Sequence, residues 1–187
     1  SEERIYLFYC MYLLALCGLL GMAITGDAFN LFVFLEVSSL SSYVLIALGK
    51  DKRALTAAYR YLVMGTIGAT FYIIGVGLMY MMTGTLNFAD LATLMPAVIE
   101  TRTVAAAMAF LIVGLSLKLA LFPLHFWLPN AYAYAPSVVT AFLAATATKV
   151  AVYALVRILF TVFGQTDLFA ATPIEHVLMT LAVAAMF

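Results

Sequence analysis

The chain has 187 residues, of which 66% are hydrophobic and 10% charged, with a formal net charge of zero and a mean hydropathy of +1.12. Soluble domains carry about 25% charged residues and about 45–50% apolar ones, so this composition excludes a soluble globular domain and marks a membrane protein. Balanced charge offers nothing to nucleic acid, and the two cysteines, Cys10 and Cys17, make neither a metal-ligand spacing nor a disulfide framework.

Hydropathy places a first membrane span from Ile5 to Ile24. Thr25-Gly26-Asp27 follows as a tight connection, with Asp27 suited to cap the next helix. A second span covers Ala28 to Leu48, and the basic cluster Lys50-Asp51-Lys52-Arg53 comes next. The third span, Leu55 to Met82, is long enough to tilt or to begin as a surface helix. It carries Gly65, Gly68 and Gly75, which suit close helix packing in lipid.

Thr85 to Arg102 is a polar interlude. Within it Leu91, Leu94, Met95 and Val98 fall at helical spacing and Asn87 can cap the start, which predicts a short amphipathic helix on the membrane surface. A fourth span runs from Thr103 to Phe122 and meets a break with two prolines, Pro123 and Pro129. The fifth span is Ser137 to Phe160, and a sixth begins near Ile174. Only about fourteen residues of that sixth run are present where a bilayer needs about twenty, so it reads as truncated and the chain as a fragment. The expected fold is an all-α polytopic membrane bundle of five complete spans and part of a sixth, with one helix broken near Lys118. Lys50, Lys52, Arg53 and Arg60 flank the second connection, which puts that side and the proline break in the cytoplasm.

Three charges fall inside these spans: Glu36, Lys118 and Lys149. A charge at mid-helix costs about 2.5–3.5 kcal/mol on insertion scales, so intramembrane ionisable groups commonly line ion or proton paths. Glu36 shares a helix face with Ser39 and Tyr43. Lys118 sits between Gly114 and Pro123, where a helix interruption frees backbone groups, although a lysine near a helix end can also snorkel to the interface. Lys149 lies at the middle of its span, too deep to snorkel with ease, with Thr146 and Tyr153 on its face. His125 lies at the break beside Lys118, and histidine is the residue type that ordinarily exchanges protons near neutral pH, which suits a point where protons enter. Arg157 reads as an interfacial snorkeller. No phosphate loop, metal cluster or haem-type histidine pair is present in the sequence, so no cofactor or metal is expected.

The segments Thr25-Gly26-Asp27-Ala28-Phe29-Asn30-Leu31-Phe32-Val33-Phe34-Leu35-Glu36 and Lys118-Leu119-Ala120-Leu121-Phe122-Pro123-Leu124-His125-Phe126-Trp127-Leu128-Pro129, with Ala135-Pro136-Ser137 and Lys149-Val150-Ala151-Val152-Tyr153, closely resemble the antiporter-like family. That family holds the proton-pumping membrane subunits of respiratory complex I, related hydrogenase membrane subunits and the large subunits of Mrp-type sodium/proton antiporters. The resemblance implies inverted five-helix repeats, each with a broken helix. Residues 1–160 then form one repeat, and 161–187 a linker and the start of the next. By matched position Glu36 takes the place of the family's intramembrane glutamate, Lys118 that of the lysine on the broken helix, and Lys149 that of the central connecting lysine. Many complex I relatives carry Asp and then His where this chain has Asn130 and Tyr132, which points toward the Mrp D-like branch. The implied function is proton or cation/proton translocation within a multisubunit Mrp-type antiporter. The alternative is a proton-pumping membrane subunit of an NADH–quinone oxidoreductase or membrane-bound hydrogenase that carries no redox centre. The implied partners are other membrane subunits, the bilayer, protons and possible sodium ions, in a bacterial or archaeal inner membrane. Glu36 and Lys118 are expected to act as an ion pair that opens and closes.

Overall fold

The computed structural model describes residues 2–164, 166 and 174–186. Its elements are helices α1 (Glu2–Ile24), α2 (Ala28–Ala47), α3 (Arg53–Thr83), α4 (Phe88–Val98), α5 (Arg102–Leu119), α6 (Leu128–Tyr134) and α7 (Ser137–Arg157), then a π-helical turn (Ile158–Val162) and α8 (Ile174–Ala184). Among the described residues five helices are long and apolar enough to cross a membrane: α1, α2, α3, α5, and α7 with its π-turn. The expected linker falls largely on 167–173, outside the described residues.

The five spans close into a ring. Helix α1 packs on α2, α2 on α3, α3 on α5, α5 on α7, and α7 returns to α1. The α3–α5 contact is the most extensive, and glycines explain how the two backbones approach. A Cβ added at Gly114 would lie 2.7 Å from the Gly68 carbonyl oxygen and 2.7 Å from the Tyr72 nitrogen, and one at Gly75 would lie 2.8 Å from the Ala107 oxygen. With no hydrophobic force between helices in lipid, such close backbone packing supplies the attraction.

The first connection and the interlude are stitched together at one end of the ring. Asp27 and Asn87 form an isolated antiparallel bridge. The Ala28 amide donates to the Leu86 carbonyl at 2.8 Å, and the Phe88 amide donates to the Gly26 carbonyl at 2.9 Å. Each residue also caps its own helix: Asp27 Oδ1 accepts from the Asn30 amide at 2.8 Å, and Asn87 Oδ1 from the Ala89 amide at 2.9 Å. The amphipathic helix is present as α4, with a different inward stripe from the expected one. Phe88, Leu91, Ala92 and Met95 are buried, whereas Leu94 is 42% exposed, because the stitch at Asn87 sets the rotation of the helix.

At the opposite end α5 stops earlier than expected, at Leu119 instead of Phe122. Ala120 takes a left-handed conformation (φ 58°) and closes the helix through its amide and that of Leu121, both donating to the Ser116 carbonyl. A non-glycine residue there costs about 1–2 kcal/mol. Trp127 Nε1 donates to the Leu117 carbonyl at 2.9 Å, supplying a partner where the helix ends. Its ring stacks on Tyr61 at 4.0 Å and 3°. Arg53 at the start of α3 donates to the Tyr134 hydroxyl at 3.2 Å, so the basic cluster and the proline break share one end, as the sequence requires.

Candidate functional site

Lys118 is the penultimate residue of α5 and is only 7% exposed. It does not snorkel. The ring of spans closes around it. A narrow cavity of about 20 Å³, room for about one water, is lined from all five spans, including Leu19 of α1, Ser39 of α2, Tyr61 of α3, Lys118 of α5 and Ala147 of α7. Lys118 Nζ donates to Ser39 Oγ and lies 5.9 Å from the centre of the Tyr43 ring. Gly65 leaves room for it: a Cβ there would sit 3.3 Å from Nζ.

Glu36 lies one helical turn from Ser39 on α2. It is half-buried, and Oε1 is buried with no hydrogen-bond partner among the described residues. The carboxylate is near enough to act electrostatically on Lys118, Tyr43 and Tyr61. It makes no ion pair, since the one salt bridge among the described residues joins Arg53 to Asp51. The Tyr43 hydroxyl is likewise buried and sits near Ser39. Of these groups only the amine lines the cavity, while the acid lies outside its wall within electrostatic reach of it. Buried polar groups without partners are uncommon and mark places where a proton or water is favoured.

A run of buried serines lies on this part of α2, and of its members only Ser39 stands out in the sequence by sharing a face with Glu36. Ser38, Ser39, Ser41 and Ser42 are all buried. Each hydroxyl donates to a carbonyl of its own helix: Ser38 and Ser39 to Leu35 at 2.9 and 2.6 Å, Ser41 to Val37 at 2.7 Å, and Ser42 to Ser38 at 2.6 Å. With the proton committed to the backbone, the lone pairs of Ser39 are left to accept from Lys118. The signal was available in Ser38-Ser39-Leu40-Ser41-Ser42, a run that a span built only for anchoring does not need.

Lys149 is not part of this cavity. At about 100° per residue, Ala147 and Ala151 face Lys118 and Lys149 points nearly the opposite way. It is exposed on the flank of α7, and its Nζ donates to the Ala144 carbonyl at 2.5 Å and to Thr148 Oγ1 at 3.3 Å. Its expected face partners are used elsewhere: Thr146 Oγ1 donates to the Phe142 carbonyl and the Tyr153 hydroxyl to the Ala23 carbonyl. His125 also stands apart, between Phe122 (5.5 Å) and Phe126 (4.9 Å), with Nδ1 buried and unpartnered. Arg157 is the last residue of α7. It donates to the Thr25 carbonyl and lies over the Phe88 ring at 5.0 Å, clamping α7 to the stitched end.

The arrangement defines a class: a polytopic α-helical membrane protein whose ring of spans encloses a lysine at a helix break, with a carboxylate within electrostatic reach. The chain belongs to the NADH:quinone oxidoreductase/Mrp antiporter transmembrane family, whose profile matches residues 25–187. It is 54% identical over 174 residues to NADH-quinone oxidoreductase subunit N of Desulforudis audaxviator, covering 93% of this chain and 34% of that protein. It is 38% identical over 172 residues to the D-type Na(+)/H(+) antiporter protein of Alkalihalophilus pseudofirmus, covering 92% of this chain and 35% of that protein. Among solved structures it is similar to a chain of the archaeal membrane-bound sulfane sulfur reductase (TM-score 0.77, 44% identity, 81% of this chain and 31% of that one). It is also similar to a chain of the Mrp complex of a Dietzia species (TM-score 0.76, 37% identity, 82% of this chain and 29% of that one). The chain therefore spans about a third of the length of the curated relatives it matches.

Proposed function

We propose that this chain translocates protons, or exchanges a cation for protons, as part of a multisubunit membrane complex of the Mrp antiporter type. Lys118 is the proton-carrying centre and Glu36 the carboxylate that holds or releases its charge. The observation that carries this reading is a lysine enclosed by five spans, bonded to a serine hydroxyl and not to the nearby carboxylate. In water-poor surroundings with an effective dielectric near 20, opposite charges about 8 Å apart attract by about 2 kcal/mol. A small relative movement of α2 and α5 is then enough to bias the lysine between holding and passing its proton.

In this reading residues 1–160 are one five-helix repeat, and 161–187 are a linker and the start of the next. Lys149, on the exposed flank of α7, becomes the handover point once a second repeat covers that flank. His125, at the basic end, is the point where protons enter. Other membrane subunits are the partners, with protons as the transported ions and, if the complex is an antiporter, a cation such as sodium in exchange.

The sharpest test is Lys118→Ala or Glu36→Ala in the full-length assembly. Each variant is expected to lower translocation in vesicles at least ten-fold while the complex still assembles, and normal transport in both ends the proposal. Glu36→Asp keeps the charge and should be milder. A second reading, a proton-pumping subunit of a redox-driven complex, is favoured by the 54% identity to an NADH-quinone oxidoreductase subunit. Sodium-dependent dissipation of a pH gradient supports the antiporter, whereas co-purification with flavin or iron–sulfur subunits supports the redox complex.

A further inference from the structure

Two surface cavities meet at Arg60, at the basic end of the ring. The first, about 200 Å³, is lined by Arg53, Thr56, Ala57, Arg60, Asn130 and Tyr134. The second, about 380 Å³, is lined by Tyr59, Arg60, Val63, Met64, Phe126 and Trp127. One is polar and cationic and the other apolar, and they share Arg60.

Their depths differ in the way an amphiphile requires. Helix α3 has 31 residues and is about 46 Å long, against a hydrocarbon core of about 30 Å. If it is centred, about 8 Å at each end stands in the headgroup layer. Arg53 lies at the very end and Arg60 about 10 Å further in, at the boundary between headgroups and acyl chains. Val63 and Met64 follow on the hydrocarbon side, and Phe126, 72% exposed, extends the apolar wall from the break.

The charge is one-sided. From Leu48 to Arg60 there are four basic residues and one acidic one, Asp51, and no acidic residue stands between Ala120 and Ser137. Arg53 bonds Tyr134 and approaches Asp51 at 4.0 Å, but Arg60 has no hydrogen-bond or ion-pair partner among the described residues. A phosphate diester suits two guanidiniums and the neighbouring Thr56 and Asn130 side chains, since guanidinium–phosphate bonds are charge-assisted and directional.

We propose that this composite groove binds one anionic phospholipid of the leaflet at the basic end. Its phosphate lies between Arg53 and Arg60, and one acyl chain lies along Val63, Met64 and Phe126. The bound lipid braces the start of α3 against the break that follows Lys118. The site does not include Glu36, Lys118 or Lys149.

The test uses the full-length protein, delipidated in neutral detergent and titrated with phosphatidylglycerol or phosphatidylcholine, with bound lipid counted by native mass spectrometry. Wild type is expected to prefer phosphatidylglycerol, and Arg60→Gln and Arg53→Gln each to weaken that binding about five-fold, the effect of one basic residue at a membrane surface. Arg60→Lys should keep most of the preference. Val63→Trp, with both guanidiniums intact, should weaken phosphatidylglycerol by filling the chain groove. Equal binding of the two lipids overturns the proposal. So does unchanged binding in Arg60→Gln protein with wild-type thermal unfolding, or a wild type that binds neither lipid because its own later helices fill the groove.

Discussion

Lys118 and Lys149 carry the same charge, each inside a long apolar span, yet the fold treats them oppositely. Lys118 is enclosed by all five spans and reaches across to another helix, whereas Lys149 is exposed and bonds only within its own. The residues beside them decide this. Around Lys118, Gly65, Gly68 and Gly114 let α3 and α5 close over the amine. Around Lys149 it is Ala147 and Ala151 that turn inward, and the lysine goes with the opposite face. Depth along a helix is therefore a poor guide to burial, and rotation about its axis is the better one.

The enclosed region is held by backbone contact, so it should break most sharply there. Gly114→Leu forces a side chain into the space 2.7 Å from the Gly68 oxygen and the Tyr72 nitrogen, neither of which can retreat without parting α3 from α5. Overpacking of this kind costs about 1–3 kcal/mol and more where backbone is struck, so about 3 kcal/mol or above is expected. A comparable change at Gly77, where nothing lies within 4 Å, should shift thermal unfolding little. Equal effects at the two glycines refute the close-packing account.

The lysines themselves give the next effect, and it has opposite signs for stability and activity. Lys118→Met keeps the length of the side chain and removes a buried charge whose one hydrogen bond is to a serine, which should raise stability by about 1–3 kcal/mol. Transport should be lost. Lys149→Met removes bonds made only within α7, so it should leave the packing between spans unchanged, and any gain in stability comes from removing a charge that costs about 2.5–3.5 kcal/mol at mid-helix. Chemical denaturation of the two variants side by side reads the contrast, and a destabilised Lys118→Met means that the amine is a structural strut.

Much of this was legible in the chain. Hydropathy and length placed all five spans, and Asp27 and Asn87 cap the helices for which their side chains suit them. The break beside Lys118 was visible in Pro123 and Pro129, but its start was not, because the stop comes from Ala120 in a left-handed conformation that no residue type announces. Glu36 and Lys118 were found because charge in an apolar span is conspicuous. Ser38, Ser41 and Ser42 were overlooked because single hydroxyls bond back to their own helix and look harmless one at a time. The partners of Arg157 were hidden for a related reason: the Thr25 carbonyl and the Phe88 ring come from distant connections that only the closed ring brings to it.

The stitched end offers the smallest effect and the finest discrimination. Asp27 does three things there. Its carboxylate caps α2 through the Asn30 amide, its backbone bridges Asn87, and its charge acts on Tyr72 near the Arg157 clamp. Asp27→Ala removes the cap and the charge together and should cost about 1 kcal/mol. Asp27→Asn keeps an oxygen that can accept from Asn30 and removes only the charge, so a few tenths of a kcal/mol is expected, the usual worth of a partly exposed charge. The backbone bridge survives in both variants. If Asp27→Asn is as damaging as Asp27→Ala in thermal unfolding, the carboxylate holds this end through the field it shares with Arg157, and the hydrogen bond to Asn30 is incidental.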